Sequence, residues 1–256
     1  MRLLSKIIAT AALAGAVLSG TALTGCGGGS DGPPGPLSQH FDDMYIASIP
    51  PSSKPSVVQT QQEWSLARME NAKAEAEFNE SATQLSIARN DQKAAHLNVE
   101  SAVSAKKSAE ASADTNRIGQ ASKDLHTAED VAKAADARVK YLEAYRAYLQ
   151  VAMRHAQENM YWREAQYEVA KAQVGQSNHI APKGVAFDAF PQQEQARGKR
   201  AAAAKERLES ERSHVMTARD GWRRAQEEAD RETGRPSNFP DPMAMTARTT
   251  TTGSSQ

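Results

Sequence analysis

Cysteine is almost missing from this chain: of 256 residues one is Cys, at position 26. One thiol cannot close an internal disulfide, build a structural zinc site or form a CxxC redox pair, so its use must be local. Aromatic residues make up 5% and the 39% hydrophobic content leans on alanine, which is too little bulk for a thick globular core of this length. No excess of one charge is present either. The 31 Lys and Arg balance 31 Asp and Glu, and nucleic acid would want a clustered basic surface. Chemistry is equally scarce. The six histidines, at 40, 96, 126, 155, 179 and 214, include no pair three or four apart and no H-E-x-x-H. There is no Gly-rich phosphate loop and no G-x-S-x-G elbow. These absences predict no catalytic residue, no metal site, no cofactor, no nucleic-acid partner and no small-molecule substrate.

Proline is absent from Val57 to Ala181, and Gly119 is the sole glycine before Gly175 in that span. Both residues punctuate helices, so the gap predicts an all-α fold built on a long antiparallel helical hairpin, residues 57–174. Gly119, with Asp114, Thr115 and Asn116, marks the turn near 113–120. Heptad rows support the coiled coil. Steps of seven from Trp64 pass through Phe78, Leu85 and Val99, and steps from Ala67 meet a small residue every time as far as Ala109. The second arm carries Val139, Leu142 and Leu149 on matching rows. Folding about residue 116 or 117 sets Trp64 near Val169 and Phe78 near His155, bulky residues at the open base and alanines toward the turn. The turn end should therefore be the weaker half.

Turn signals over 175–191 predict a linker, and 192–233 a third long helix with Ala201, Leu208, Val215 and Trp222 on its seam. Running back along the second arm, it brings Trp222 near Tyr141, Tyr145 and Tyr148. Those tyrosines and Trp162 form a stripe beside the second arm's seam, to be filled by the third helix, another protomer or a glycan. Trp162 in particular suits an oligomer interface. Residues 234–256 read as a disordered tail.

The N-terminal part has a different character. Arg2 and Lys6 precede an apolar and small stretch from Ile7 to Leu23, the layout of a signal peptide over 1–25 and too short and rich in Gly, Ser and Thr for a permanent span. Leu23-Thr24-Gly25-Cys26 resembles the lipobox of bacterial lipoproteins. The resemblance implies cleavage before Cys26, diacylation of its sulfur and acylation of the new amino terminus. It also implies a cell-envelope location. Gly27 rather than Asp after the Cys points to the outer membrane, periplasmic face. Residues 26–56, crowded with Gly, Pro and Ser, read as a lipidated Cys on a flexible tether. Inside it "HFDDMYIASI", His40 to Ile49, is either a segment lying on the helical domain or a docking peptide for a partner.

Together these features predict a lipid-anchored, extracytoplasmic coiled-coil structural protein. Its turn, with Asp114, Asn116, Arg117 and Ile118, would be the presented tip. Its partners would be the membrane and either other envelope proteins or further copies of itself. Two alternatives stay open. One is an adaptor of a trans-envelope export or efflux machine, since the hairpin looks like those of periplasmic adaptors but lacks their flanking β-rich segments. The other is a holdase chaperone.

Overall fold

The computed structural model describes residues 32–244. The leader, Cys26 and residues 245–256 lie outside them. The chain divides into two compact units, Met1–Pro33 and Pro34–Gln256, and the fold that follows belongs to the second. It is all-α, with no strand among the described residues. Three long helices, α1 (Pro55–Ala111), α2 (Thr115–Ser177) and α3 (Ala189–Thr233), are preceded by 3₁₀ turns at Asp43–Ile46 and Pro51–Ser53. At ~1.5 Å per residue the 57 residues of α1 and 63 of α2 give arms of about 86 and 95 Å. Helix α2 packs against both neighbours, whereas α1 and α3 do not pack on each other. The architecture is thus an antiparallel hairpin with a third helix along the free side of its second arm.

The α1–α2 seam is the predicted one, with Ala67, Leu85, Ala88, Ala95 and Ala109 buried on one side and Ala132, Val139, Leu142 and Leu149 on the other. Ion pairs flank it: Glu63–Arg163, Arg89–Glu143 and Asp91–Arg138, each 2.8 Å long. Arg89–Glu143 is exposed and fixes register more than it stabilises, whereas Arg138 and the Glu63–Arg163 pair are partly buried. The hairpin closes more tightly than expected. Helix α1 ends at Ala111 and α2 begins at Thr115. Ala113, not a glycine, takes the left-handed conformation, φ 56°, and Asp114 caps α2 by accepting from the Asn116 and Arg117 backbone N–H at 3.0 and 3.3 Å. Gly119 is not in the turn; it lies inside α2. Trp64 stacks on Tyr167, centroids 5.6 Å apart, with Val169 packed on the same cluster, and Phe78 lies under the Arg146 guanidinium at 4.7 Å.

A Cβ on Gly119 would meet nothing within 4 Å, whereas one on Gly198 would stand 3.1 Å from Trp162 Nε1. Gly119→Ala is therefore expected to stabilise by about 0.5–1 kcal/mol through helix propensity, and Gly198→Ala to destabilise. Urea denaturation of the two variants reads both signs.

Four expected boundaries move. Helix α2 runs on to Ser177. It stops where His179 turns left-handed, φ 59°, and the Ile180 N–H bonds to the Gly175 carbonyl at 2.9 Å. Helix α3 starts at Ala189 with Pro191 in its first turn, where proline's missing N–H costs no helical hydrogen bond. The region expected as a free tether is folded from Pro34 onward. Leu37, Phe41, Ile46 and Ile49 are buried, and the last three join Val57, Tyr167, Val174 and Phe190 in a cluster at the open base. Likewise residues 234–244 of the expected tail are ordered against α2 and α3: Asp241 takes hydrogen bonds from Tyr141 (2.8 Å) and Arg219 (2.6 Å). Both segments carry a few apolar or charged side chains whose partners lie far away in sequence, and those contacts outweigh a local composition of Gly, Pro and Ser.

Candidate functional site

The aromatic stripe turns inward. Tyr141, Tyr145 and Trp222 are buried and Tyr148 half-buried. Tyr141 stacks on Trp222 at 5.2 Å with the planes 7° apart, and Tyr145 stacks on Tyr148 at 6.4 Å. Around them Leu85, Val139, Leu142, Leu149 and Val215 complete a mid-rod cluster. Burial holds the three phenols protonated: Tyr145 is pushed up to about 12, and Tyr141, also facing Asp241, is raised further. A protonated Tyr141 is what Asp241 needs as a donor. Trp162 gives its indole N–H to Glu194 at 2.6 Å and rests against Gly198. Of the three fillers the sequence left open for the stripe, the third helix is the one observed.

The tip is a capped helix start. Asp114, Asn116 and Arg117 are exposed and Ile118 is half-buried. Toward this end the buried side chains shrink to the small cluster of Ala134, Ala225 and Ala229. Lys133–Glu228, at 2.7 Å, is the last α2–α3 ion pair before α3 ends at Thr233.

The densest polar chemistry lies at the base and was not legible in the sequence. Glu168 and Lys171 are each 4% exposed and 2.9 Å apart. Glu168 accepts the Phe41 backbone N–H at 2.6 Å, and Lys171 donates to Asp43 at 2.8 Å. The Phe41 ring sits on Gly175, where an added Cβ would stand 2.7 Å from its ring edge. Burial opposes the charge on Lys171, but Asp43 and Glu168 outweigh it and hold the ammonium above the ordinary lysine value. One heptad and a half further along α2, Glu158, 3% exposed, binds Arg200 at 2.7 Å. These are fastenings: each side chain is engaged by another part of the same chain, although Glu158 Oε2 is buried without a hydrogen-bond partner. In sequence, Glu158, Glu168 and Lys171 look like any solvated helical face.

A groove of about 650 Å³ opens where α1 and α3 flank α2 and is lined by His96, Asp136, Lys140, Ala218, Trp222 and Ala225 among others. His96 Nε2 lies 2.8 Å from Asp136, and Gln92 donates to the same carboxylate oxygen at 2.9 Å. Burial disfavours the Asp136 charge, yet these two partners hold its carboxyl below the usual range. The groove walls carry no hydroxyl or thiol beside this pair. Among the described residues no three His, Cys, Asp or Glu cluster as metal ligands, and no helix is long and apolar enough to cross a membrane. No family model, curated protein or solved structure matches the chain.

Proposed function

We propose that this protein is a lipid-anchored extracytoplasmic rod, a structural and interaction protein of the bacterial cell envelope held at the periplasmic face of the outer membrane. The observation that carries the reading is the leader followed by Leu23-Thr24-Gly25-Cys26 ahead of an 86 Å-class hairpin, with the length estimated from ~1.5 Å per residue. The inward-facing aromatic stripe supports a packing role rather than a ligand platform. Burial of the segment from Pro34 onward shortens the tether. Two or more acyl chains, at about 0.8 kcal/mol per buried CH₂, make such an anchor stable.

A second reading, an adaptor that presents its tip, is favoured by one observation: α3 stops at Thr233 and leaves the exposed turn at Asp114 to Arg117 without a third helix beside it. One experiment addresses both. Cys26→Ser is expected to move the protein from the membrane to the soluble fraction, and the wild-type N-terminal peptide to carry acyl mass on Cys26. A variant that stays membrane-bound, or an unmodified wild-type thiol, sinks the anchor. In the same cells a photocrosslinker at Arg117 capturing one distinct envelope protein would make the adaptor reading the better one.

A further inference from the structure

Among the described residues seven large apolar side chains are exposed, and five of them, Val58, Leu66, Met69, Ile87 and Leu97, stand on α1. Neither α2 nor α3 contributes one; the other two are Met44 and Phe239. Helix α1, like α3, packs on α2 but not on the remaining long helix. Its outward face runs from Gln59 to Ala111 in alternating steps of three and four, directly opposite the buried seam, and every position on it is exposed. Only Lys73 and Glu80 on that face are charged. A solvated helix face is normally rich in charge, and the outward face of α3 follows that rule with Glu206, Asp220, Arg224, Glu227 and Arg231. The outward stripe of α1 instead has the spacing and the low charge of a coiled-coil seam without its partner.

We propose that this stripe pairs with the same stripe of a second copy, the two α1 helices running antiparallel about a two-fold axis at the level of Ser81 and Ala82. Self-complementarity argues for a second copy over a foreign helix. In this register Leu66 meets Leu97 of the second copy, Ile87 meets Ala76 and Met69 meets Ala94, so each of these four exposed apolar side chains finds an apolar partner. The two charges meet neutral residues, Lys73 against Asn90 and Glu80 against Thr83. Sliding by one heptad sets Leu66 against Asn90 or Ser104 and Leu97 against Gln59 or Lys73. A parallel pair in register would oppose Lys73 to Lys73 and Glu80 to Glu80, which like-charge repulsion disfavours.

Size and charge agree. A contact about 70 Å long and one helix width, ~10 Å, covers roughly 700 Å² on each copy, close to the standard interface. The formal net charge of +0 sets up no long-range repulsion between copies. The pair is isologous and closes on itself, with a base at each end. The inference deepens the scaffold reading. The pairing itself does not need the lipid.

The test uses the full chain in density-matched detergent, with sedimentation equilibrium giving the protein mass. A mass twice that of one chain is expected, the uncleaved chain being 27.6 kDa. Leu66→Glu with Leu97→Glu places four carboxylates in the pair and is expected to raise the dimer Kd by about a hundredfold or more, each tenfold being ~1.4 kcal/mol. These side chains are 58% and 63% exposed, so circular dichroism and thermal melting of the variant should match the wild type. A photocrosslinker at Leu66 is expected to capture a second copy near Leu97. Four results would overturn the proposal: a monomer at 100 µM order of concentration, a dimer indifferent to the double substitution, an adduct at Leu66 of the second copy, or capture of a foreign helix alone. Release of the Cys26→Ser variant from the membrane is scored separately, so either reading can fail while the other stands.

Discussion

Lys171→Met is expected to destabilise the base by about 3–5 kcal/mol, the usual cost of removing one member of a buried ion pair. The ammonium it deletes is 4% exposed and lies within 2.9 Å of Glu168 and 2.8 Å of Asp43. Asp43 is largely exposed and recovers water when its partner goes. Glu168, 4% exposed, has no such recourse, and it also holds the Phe41 N–H. Destabilisation of one carboxylate therefore loosens the whole segment from His40 to Ile49. The double variant Lys171→Met with Glu168→Gln is expected to cost less than Lys171→Met alone. The amide oxygen still accepts from Phe41, and no buried charge is left without its counter-ion. Limited proteolysis of residues 34–54 and urea denaturation measure the two effects. A double variant as unstable as the single one would mean that the pair stabilises directly and does not merely compensate itself. Alkali gives an independent check. Lys171 titrates above its ordinary value of 10.5, so its contribution is complete below that pH and is lost as pH rises through the folded value. The Met variant should lack this alkaline step.

The seam was legible in the sequence because it repeats. Steps of seven through Ala67, Ala88, Ala95 and Ala109 need no knowledge of the partner helix, and the structure buries all four. The stripe of Tyr141, Tyr145 and Tyr148 pointed to a second neighbour for the same reason, and Trp222 is that neighbour. What escaped was non-periodic. Gly175 looked like a helix stop, but it is a flat spot on which Phe41 rests, and nothing near either residue in sequence links the two. Gly119 looked like the turn, whereas Asp114 supplies the cap and Ala113 the positive φ. A strong N-cap three residues after α1 ends fixes the corner, and the exposed glycine beyond it is carried at the modest cost of a helical glycine. Glu158, Glu168 and Lys171 were invisible because a buried charge and a solvated one share the same letter. They differ only in what the fold lays over them.

Trp222→Ala is expected to cost about 3–5 kcal/mol, the range for removing a large buried aromatic side chain, and its effect should reach the C-terminal segment. Trp222 is 5% exposed and stacks on Tyr141. The Tyr141 hydroxyl donates to Asp241, which Arg219 also holds. Removing the indole frees the Tyr141 ring from one face, so the donor that fixes Asp241 loses its position. Phe239 under the Arg138 guanidinium at 3.9 Å, Arg219 on Asp241 and the Ser237 N–H donating to Asp230 at 3.1 Å then carry the segment's hold. Hydrogen exchange should accordingly rise at Ser237 to Ala244 together with the middle of α2 and α3, while amides around Phe41 keep their protection, because that cluster is separate. Acid should reproduce part of this in the unsubstituted protein. Burial works against the Asp241 carboxylate, but Arg219 and Tyr141 outweigh it and hold its pKa below the ordinary 3.8. The stability it contributes is present above 3.8 and is lost as pH falls through the folded value. Asp241→Asn should flatten that acid step and leave the base unaffected. If exchange in the Trp222→Ala variant rose equally at Phe41 and at Ser237, the rod would open as one unit, and the division into a base cluster and a mid-rod cluster would have no energetic meaning.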